Sequence, residues 1–327
     1  MSERNEQAEG ISTVAVIGAG LIGCSWAALF AASGRTVYLY DSRPDASSAI
    51  ESFWASVKPT LIELGLADAE TRPAFRVTAS LREVVATADF IQECIPERLE
   101  AKLQLYREIE PHMQRDAIVA TSSSGIKLSD LQAGWSAPDR MIIAHPFNPP
   151  HLIPLVELYA NEQTASDVLP RARSFYESCG KVTITLKREV LAHVANRLQA
   201  ALWREAISLV AQGVASLEDV DIAVSAGPGL RWAVMGPHLL LNLGGGEGGL
   251  RAYCEQFRDS YHLWWDDLGV PKLTDETIDK LVSGLQAEIN GRDYVELRRE
   301  RDAKLVAVLR ALKSKASQGP TYAQAQL

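Results

Sequence analysis

His145 and Glu157 are the two side chains of this sequence best suited, as a pair, to moving a proton. The stretch His145-Pro-Phe-Asn-Pro-Pro150 follows a short apolar run, Met141 to Ala144, and leads into Leu155-Val-Glu157-Leu-Tyr159. Read as two strands joined by a loop that prolines stiffen, it puts an imidazole where a carboxylate on the next strand can meet it. A histidine that takes a proton from an alcohol needs a tuned pKa and a fixed ring, and a partly buried carboxylate on its far nitrogen supplies both. Hydroxyls or amides, with Ser123 and Asn196 as candidates, would hold the alcohol oxygen as it becomes a carbonyl. A lone histidine is more often structural, so the assignment rests on the company His145 keeps.

The elements that must position this pair begin at the N-terminal end. Thr13-Val-Ala-Val-Ile17 is a β-branched apolar run that enters Gly18-Ala-Gly20-Leu21-Ile22-Gly23, and a helical pattern through Trp26, Leu29 and Phe30 stops near Gly34. A second buried strand, Thr36 to Tyr40, ends in Asp41. Strand, glycine-rich turn, helix, strand and acid in this order form the dinucleotide fingerprint. Gly18 makes the tight turn, Gly20 lets the backbone approach a pyrophosphate, Gly23 packs helix on strand, and the helix N-terminus faces the phosphates. Asp41 would accept hydrogen bonds from the adenosine ribose hydroxyls and repel a 2′-phosphate, which favours NAD over NADP. Arg43, which could soften that preference, is expected to be solvated or to flank the adenine.

Helical segments between Ala46 and Leu64 precede a second βαβ half: Phe90 to Ile95, a helix from Leu99 to Ile109, then Ala117 to Ala120 running into Thr121-Ser-Ser-Ser-Gly125. Alternating elements imply a Rossmann-type, doubly wound, mostly parallel sheet, with ligands beyond the C-terminal strand ends. That rim carries Ser122 to Ser124, Glu97 and His145. Strands at Met141–Ala144, Leu155–Tyr159 and Val182–Leu186 complete the first domain. From Val190 onward the pattern is helical alone, starting with a long helix over Leu191 to Gln212. The sequence therefore reads as a flexible N-terminus (1–10), an NAD-binding domain (11–188), an all-α C-terminal domain (189–315) and a flexible tail (316–327). Ser216-Leu-Glu-Asp219 reads as a helix cap, Gly244 to Gly249 as a helix-helix turn, and Leu305, Val308, Leu309 and Leu312 as the inner face of the last helix.

Composition narrows the partners. The 327 residues carry 33 basic against 41 acidic side chains, a net charge of -8, which offers no footprint for nucleic acid or an anionic membrane. Val14 to Ala32 is nearly free of charge, but its glycines and the strand that follows read as strand, turn and helix rather than a membrane span. Cys24, Cys94, Cys179 and Cys254 are far apart and at no zinc-binding spacing, so no metal is expected and they read as small buried hydrophobes in a reducing compartment. The polar N-terminus lacks the apolar core of a signal peptide, and a cytoplasmic location follows.

The whole chain resembles the 3-hydroxyacyl-CoA dehydrogenase family. The resemblance is carried by Gly18-x-Gly-x-x-Gly23, Pro96-Glu97-x-Leu99-x-x-Lys102, Ser122-Ser-Ser124, His145-Pro-Phe-Asn-Pro149, Leu155-Val-Glu157 and Asn196-Arg-Leu198. It implies a Rossmann domain followed by a helical domain that forms a homodimer. It makes His145 the base, Glu157 its partner, and Ser123 and Asn196 the contacts of the substrate oxygen. Leu21, Ile22, Glu97 and Lys102 join the cofactor contacts. Within the family the chain is similar to the branch that holds L-gulonate 3-dehydrogenase (lambda-crystallin) and L-carnitine dehydrogenase, through Trp203-Arg-Glu-Ala206 and Gly229-Leu-Arg-Trp232 ahead of Met235-Gly236. Enzymes for CoA thioesters usually carry a tyrosine-proline-methionine-glycine run there. Arg231 suits a free carboxylate, and Trp232 could face a quaternary ammonium.

One step departs from the family. Where it usually has a glycine followed by phenylalanine ahead of Asn196, this chain reads Leu191-Ala192-His193. His193 is either an extra polar contact in the cleft or a hydrogen-bonded junction residue, the second being favoured. The expectation is NAD-dependent oxidation of a small 3-hydroxy acid. An L-3-hydroxyacyl-CoA substrate and an NAD-binding, crystallin-like structural role are the alternatives.

Overall fold

A computed structural model describes residues 10–316. The expected flexible ends fall outside the described residues, save Gly10 and Ala316. The chain divides into two compact units between Val194 and Ala195, a little beyond the boundary expected near Arg188.

The first unit is built on strands β1 (Thr13–Ile17), β2 (Thr36–Tyr40), β3 (Ala74–Thr78), β4 (Phe90–Glu93), β5 (Ile118–Thr121), β6 (Met141–Pro146), β7 (Leu155–Tyr159) and β8 (Val182–Thr185). They form one sheet in the order β3-β2-β1-β4-β5-β6-β7-β8. Every pair is parallel except β6 and β7. The order reverses between β1 and β4, the switch point beside which such sheets bind ligands. Helices α1 (Leu21–Ala32), α2 (Ala46–Glu63), α3 (Leu81–Ala86), α4 (Leu99–Ile109), α5 (Leu128–Gln132) and α6 (Val168–Ser178) cover both faces.

Period-two alternation divides the strand residues between two cores. Val14 and Val16 of β1 pack with Trp26 and Phe30 of α1, Ile50 of α2 and Phe175 of α6. Ala15 and Ile17 pack on the opposite face with Val84 of α3, Leu105 and Tyr106 of α4 and Leu131 of α5. Val14 to Ala32, long and uncharged enough in sequence to suggest a membrane span, is thus strand, turn and buried helix. Among the described residues no helix is long and apolar enough to cross a membrane.

Strand β3, which no clear sequence pattern marks, is the sheet edge, where one neighbour suffices and the alternation is weak. β6 runs on through His145 to Pro146, so the histidine lies within the strand rather than just after it. Cys24 and Cys179 are buried as expected, whereas Cys94 is only partly buried and Cys254 is exposed.

The second unit is helical: α7 (Ala195–Ala211), α8 (Leu217–Ala226), α9 (Pro228–Val234), α10 (Pro237–Gly244), α11 (Gly249–Asp267), α12 (Asp275–Ile289) and α13 (Tyr294–Ala316). α12 packs on α7 and α8, and α10 on α11. Ser216 caps α8, its hydroxyl oxygen accepting from the Asp219 N–H at 3.0 Å. The glycines from 244 to 249 make the turn between α10 and α11. On α13 Val306 is buried and Leu305 and Leu309 are partly buried, while Val308 and Leu312 are exposed, so the apolar face includes only half of the expected residues. The long helix starts at Ala195 rather than Leu191 because Ala192 and His193 hold φ angles of 63° and 52°, left-handed values that no α-helix accommodates.

Candidate active site

The glycine-rich turn has the shape a dinucleotide needs. Gly18 has φ of 104°, and a Cβ there would meet the Cys94 carbonyl oxygen at 2.8 Å. A Cβ on Gly23 would lie 1.7 Å from the Gly18 carbonyl oxygen, so this position fixes how closely α1 approaches the turn. Gly20 has nothing within 4 Å of its Cβ direction, which leaves open space in front of the first N–H groups of α1, where a pyrophosphate would be held. Leu21, half exposed, and Ile22 begin that helix.

Asp41 ends β2 against the same turn. Its Oδ2 accepts from the Ala19 N–H at 2.6 Å, and its Oδ1 accepts from the backbone and side chain of Arg43 at 2.9 and 3.1 Å. Although burial works the other way, the Arg43 and Ala19 N–H groups and the guanidinium hold the Asp41 carboxyl below its usual range. Arg43 is exposed, in keeping with the solvated reading, and it also donates to the Ala19 carbonyl at 2.8 Å, closing a clasp across the turn. The residues present therefore fit NAD, with Asp41 ionised and oriented where the ribose is expected.

Beyond the ends of β4 and β5 the acidic residues have other tasks. Glu97 Oε1 accepts from the Ser123 hydroxyl at 2.6 Å and from the N–H groups of Ser124, Gly125 and Ile126 at 3.0, 2.8 and 3.1 Å. Burial opposes ionisation, but the Ser123 hydroxyl, these N–H groups and the Lys102 charge lower the Glu97 pKa. Glu97 thus organises the turn after β5 as a fixed anion. Ser123 is 1% exposed with its hydroxyl committed to Glu97, so it is not placed to hold a substrate oxygen as the sequence suggested; Ser124, the next residue, is exposed. Lys102 is also 1% exposed, with Nζ 2.7 and 2.8 Å from the two oxygens of Glu93 and 3.6 Å from Glu97 Oε2. It is a buried counter-ion rather than a side chain facing the cofactor turn, because the fully buried Glu93 at the end of β4 requires one.

The pair expected to move the proton is brought together by the antiparallel junction of the sheet. His145 of β6 is in register with Glu157 of β7, and its Nδ1 lies 2.8 Å from Glu157 Oε2. Both side chains are buried. A carboxylate only accepts, so Nδ1 carries the hydrogen, and Nε2 is the nitrogen that can take up a proton. The other Glu157 oxygen accepts from the Val194 N–H at 2.8 Å. His193, immediately before it, is buried, with Nε2 3.0 Å from the Ser123 carbonyl oxygen and its ring 4.9 Å from that of His145. The favoured reading of His193 as a hydrogen-bonded junction residue agrees with this contact, but its tilted ring contact with His145 had no signal in the sequence.

The remaining sequence candidates lie on the second unit. Asn196 is on the first turn of α7 and partly buried, while Arg231 and Trp232 are exposed on α9.

Residues 13–190 match the 3-hydroxyacyl-CoA dehydrogenase NAD-binding domain, and residues 193–281 match the C-terminal domain of the same proteins. The chain belongs to the 3-hydroxyacyl-CoA dehydrogenase family. It is 42% identical over 304 residues to an L-carnitine dehydrogenase of Nocardiopsis dassonvillei, covering 93% of this chain and 92% of that one. An L-carnitine dehydrogenase of a Pseudomonas species is 40% identical over 315 residues, covering 96% and 98%. Among solved structures, a 5-formyl-3-hydroxy-2-methylpyridine 4-carboxylic acid 5-dehydrogenase, an NAD+-dependent dismutase, superposes with a TM-score of 0.79 at 32% identity, covering 93% of this chain and 99% of that chain. As a member of this family the protein is an NAD-dependent dehydrogenase that oxidises a 3-hydroxy acid.

Proposed function

We propose that the protein oxidises L-carnitine, or a small free 3-hydroxy acid of similar shape such as L-gulonate, with His145 as general base and Glu157 as its orienting partner. The observation that carries the base assignment is the buried 2.8 Å contact between His145 Nδ1 and Glu157 Oε2. NAD, when bound, accepts the hydride from the carbinol carbon. The task left to the chain is to remove the hydroxyl proton, which passes to His145 Nε2. Glu157 stabilises the resulting imidazolium, and the Val194 N–H keeps that carboxylate from swinging away. Ser124 takes the oxygen-holding place expected for Ser123, since it presents a hydroxyl from a turn that Glu97 holds rigid.

On the second unit, Asn196 is assigned to the substrate oxygen, Arg231 to a free carboxylate and Trp232 to a quaternary ammonium. The identity to L-carnitine dehydrogenases across almost the whole chain supports this substrate class over a CoA thioester. The decisive assay follows NADH formation with carnitine, gulonate, 3-hydroxybutyrate and its CoA ester. Turnover confined to the free acids is expected, and turnover of the thioester alone would overturn the substrate reading. Exposed Trp203, Leu263, Trp264 and Trp265 on the helical unit support a homodimer, for which sedimentation should give twice the chain mass.

A further inference from the structure

The turn between β8 and α7 is the most strained stretch of the first unit, and it lies directly on the proposed base pair. Ala192 and His193 are consecutive non-glycine residues with φ of 63° and 52°, left-handed values that bring Cβ too close to the following carbonyl oxygen. Strain of this kind persists where the surroundings over-determine it. Three contacts do so here. The His193 N–H donates to the Val190 carbonyl at 3.3 Å. Its Nε2 lies 3.0 Å from the Ser123 carbonyl oxygen, and the next N–H, of Val194, reaches Glu157 Oε1 at 2.8 Å.

The chemistry of the ring follows from these partners. A carbonyl oxygen only accepts, so Nε2 of His193 carries the hydrogen. Burial lowers the His193 pKa, and the neighbouring His145 acts in the same direction, while the Ser123 carbonyl, Glu157 and Glu97 oppose it. His193 is accordingly a neutral imidazole, tethered by Nε2–H to the turn that bears Ser124, with its ring tilted at 42° and 4.9 Å from the ring of His145. A neutral ring in that place restrains His145 without adding a second charge to the site.

We propose that His193 is a positioning residue for the base. Its ring braces one side of the His145 imidazole, its Nε2–H ties that brace to the serine turn, and its left-handed backbone aims the Val194 N–H at the second oxygen of Glu157. The His145 ring is thereby fixed from two directions, by Glu157 through Nδ1 and by His193 through its face. The strain at Ala192 and His193 is the cost of bringing side chain and backbone to the pair from one tight turn. This role rests on His145 being the base, and the experiment separates the two claims.

The test compares His193→Phe, His193→Gln and His145→Gln with the double variant His193→Phe/His145→Gln. In each, kcat and KM for hydroxy-acid oxidation, NADH affinity by fluorescence titration and thermal midpoint are measured. Misplacing a reacting group by a fraction of its contact distance costs roughly ten- to a hundredfold, so His193→Phe is expected to lower kcat by that much. KM and NADH affinity should stay within about twofold, since no ligand contact is removed. His193→Gln, whose amide N–H matches the reach of Nε2 to the Ser123 carbonyl, should recover part of the loss. In the His145→Gln background, His193→Phe should cost nothing further, because a brace without its base has nothing to hold.

Wild-type kcat in His193→Phe would overturn the positioning role, as would the same fractional loss with and without His145. Should His193→Phe fail to fold, as its thermal midpoint would reveal, His193→Gln carries the test: an intermediate kcat supports the role, and a loss confined to KM contradicts it. An active His145→Gln variant would instead sink the base assignment.

Discussion

Glu93 and Glu157 are both fully buried on strands of one sheet, yet the groups around them differ in kind. Glu93 accepts from the Lys102 ammonium, the hydroxyls of Tyr106 and Thr121 and the Ile95 N–H. These donors come from α4, β5 and the loop after β4, so the cluster is an internal clamp between β4, β5 and α4. Glu157 faces an imidazole, the side-chain type that serves most often as a general base. Depth of burial and residue type are the same, and the two carboxylates are set apart by the partner each one faces.

The comparison can be broken at either end. The largest effect is expected at the imidazole: His145→Gln should lower kcat roughly a hundred- to ten-thousandfold while NADH binding survives. A variant that retained its turnover would remove the distinction altogether. At the other cluster, Lys102→Met leaves the Glu93 carboxylate buried without its counter-ion. Denaturant unfolding should register a loss of about 3–5 kcal/mol, and a neutral result would mean that water or a shifted proton compensates.

A smaller effect sharpens the comparison by adding a third buried ionisable group. Lys181 donates to the carbonyls of Pro150 and Ile153, bracing the loop between β6 and β7, and lies 5.1 Å over the Trp26 ring. Burial pushes its pKa from 10.5 down to about 7. Between those values the unfolded chain binds the extra proton, so this group makes stability rise with pH there, by at most about 1.4 kcal/mol per pH unit, and contributes no slope below about 7. Lys181→Met should lose that slope, and an unchanged pH profile would place the ammonium in contact with water. The smallest effect is expected at the strained turn, where Ala192→Gly relieves a left-handed alanine and should raise stability by about 1 kcal/mol. A destabilised variant would show that the turn adopts an ordinary conformation.

The parts that were legible in the sequence are those written by local spacing. The β-branched run, the three glycines and the acid after β2 defined the cofactor end, because each position is required by backbone geometry within a single βαβ unit. The His145–Glu157 pair was legible because a short proline-rich loop between two apolar runs leaves few ways to join them. What sequence could not reveal was how side chains are shared across distant strands. Ser123 and Ser124 are equivalent as letters, and only the capture of the turn by Glu97 buries one hydroxyl and exposes the next. Lys102 read as a cofactor contact because nothing local announced that Glu93 would claim it. The late start of α7 was hidden for a related reason: alanine and histidine are ordinary helix residues, and a tertiary demand from Ser123 and Glu157 holds their backbone left-handed. The absence of the expected glycine was the available signal, and it pointed to the right turn.

The central claim is that His145 and Glu157 work as one unit, and a double-mutant cycle on kcat tests it most directly. His145→Gln, Glu157→Gln and the double variant are compared with the wild type at a pH where NADH binding is equal in all four. If the pair is a unit, the double variant should lose no more than His145→Gln alone, because an orienting carboxylate has no function without its imidazole. Losses that multiply would show two independent contributions and contradict the account.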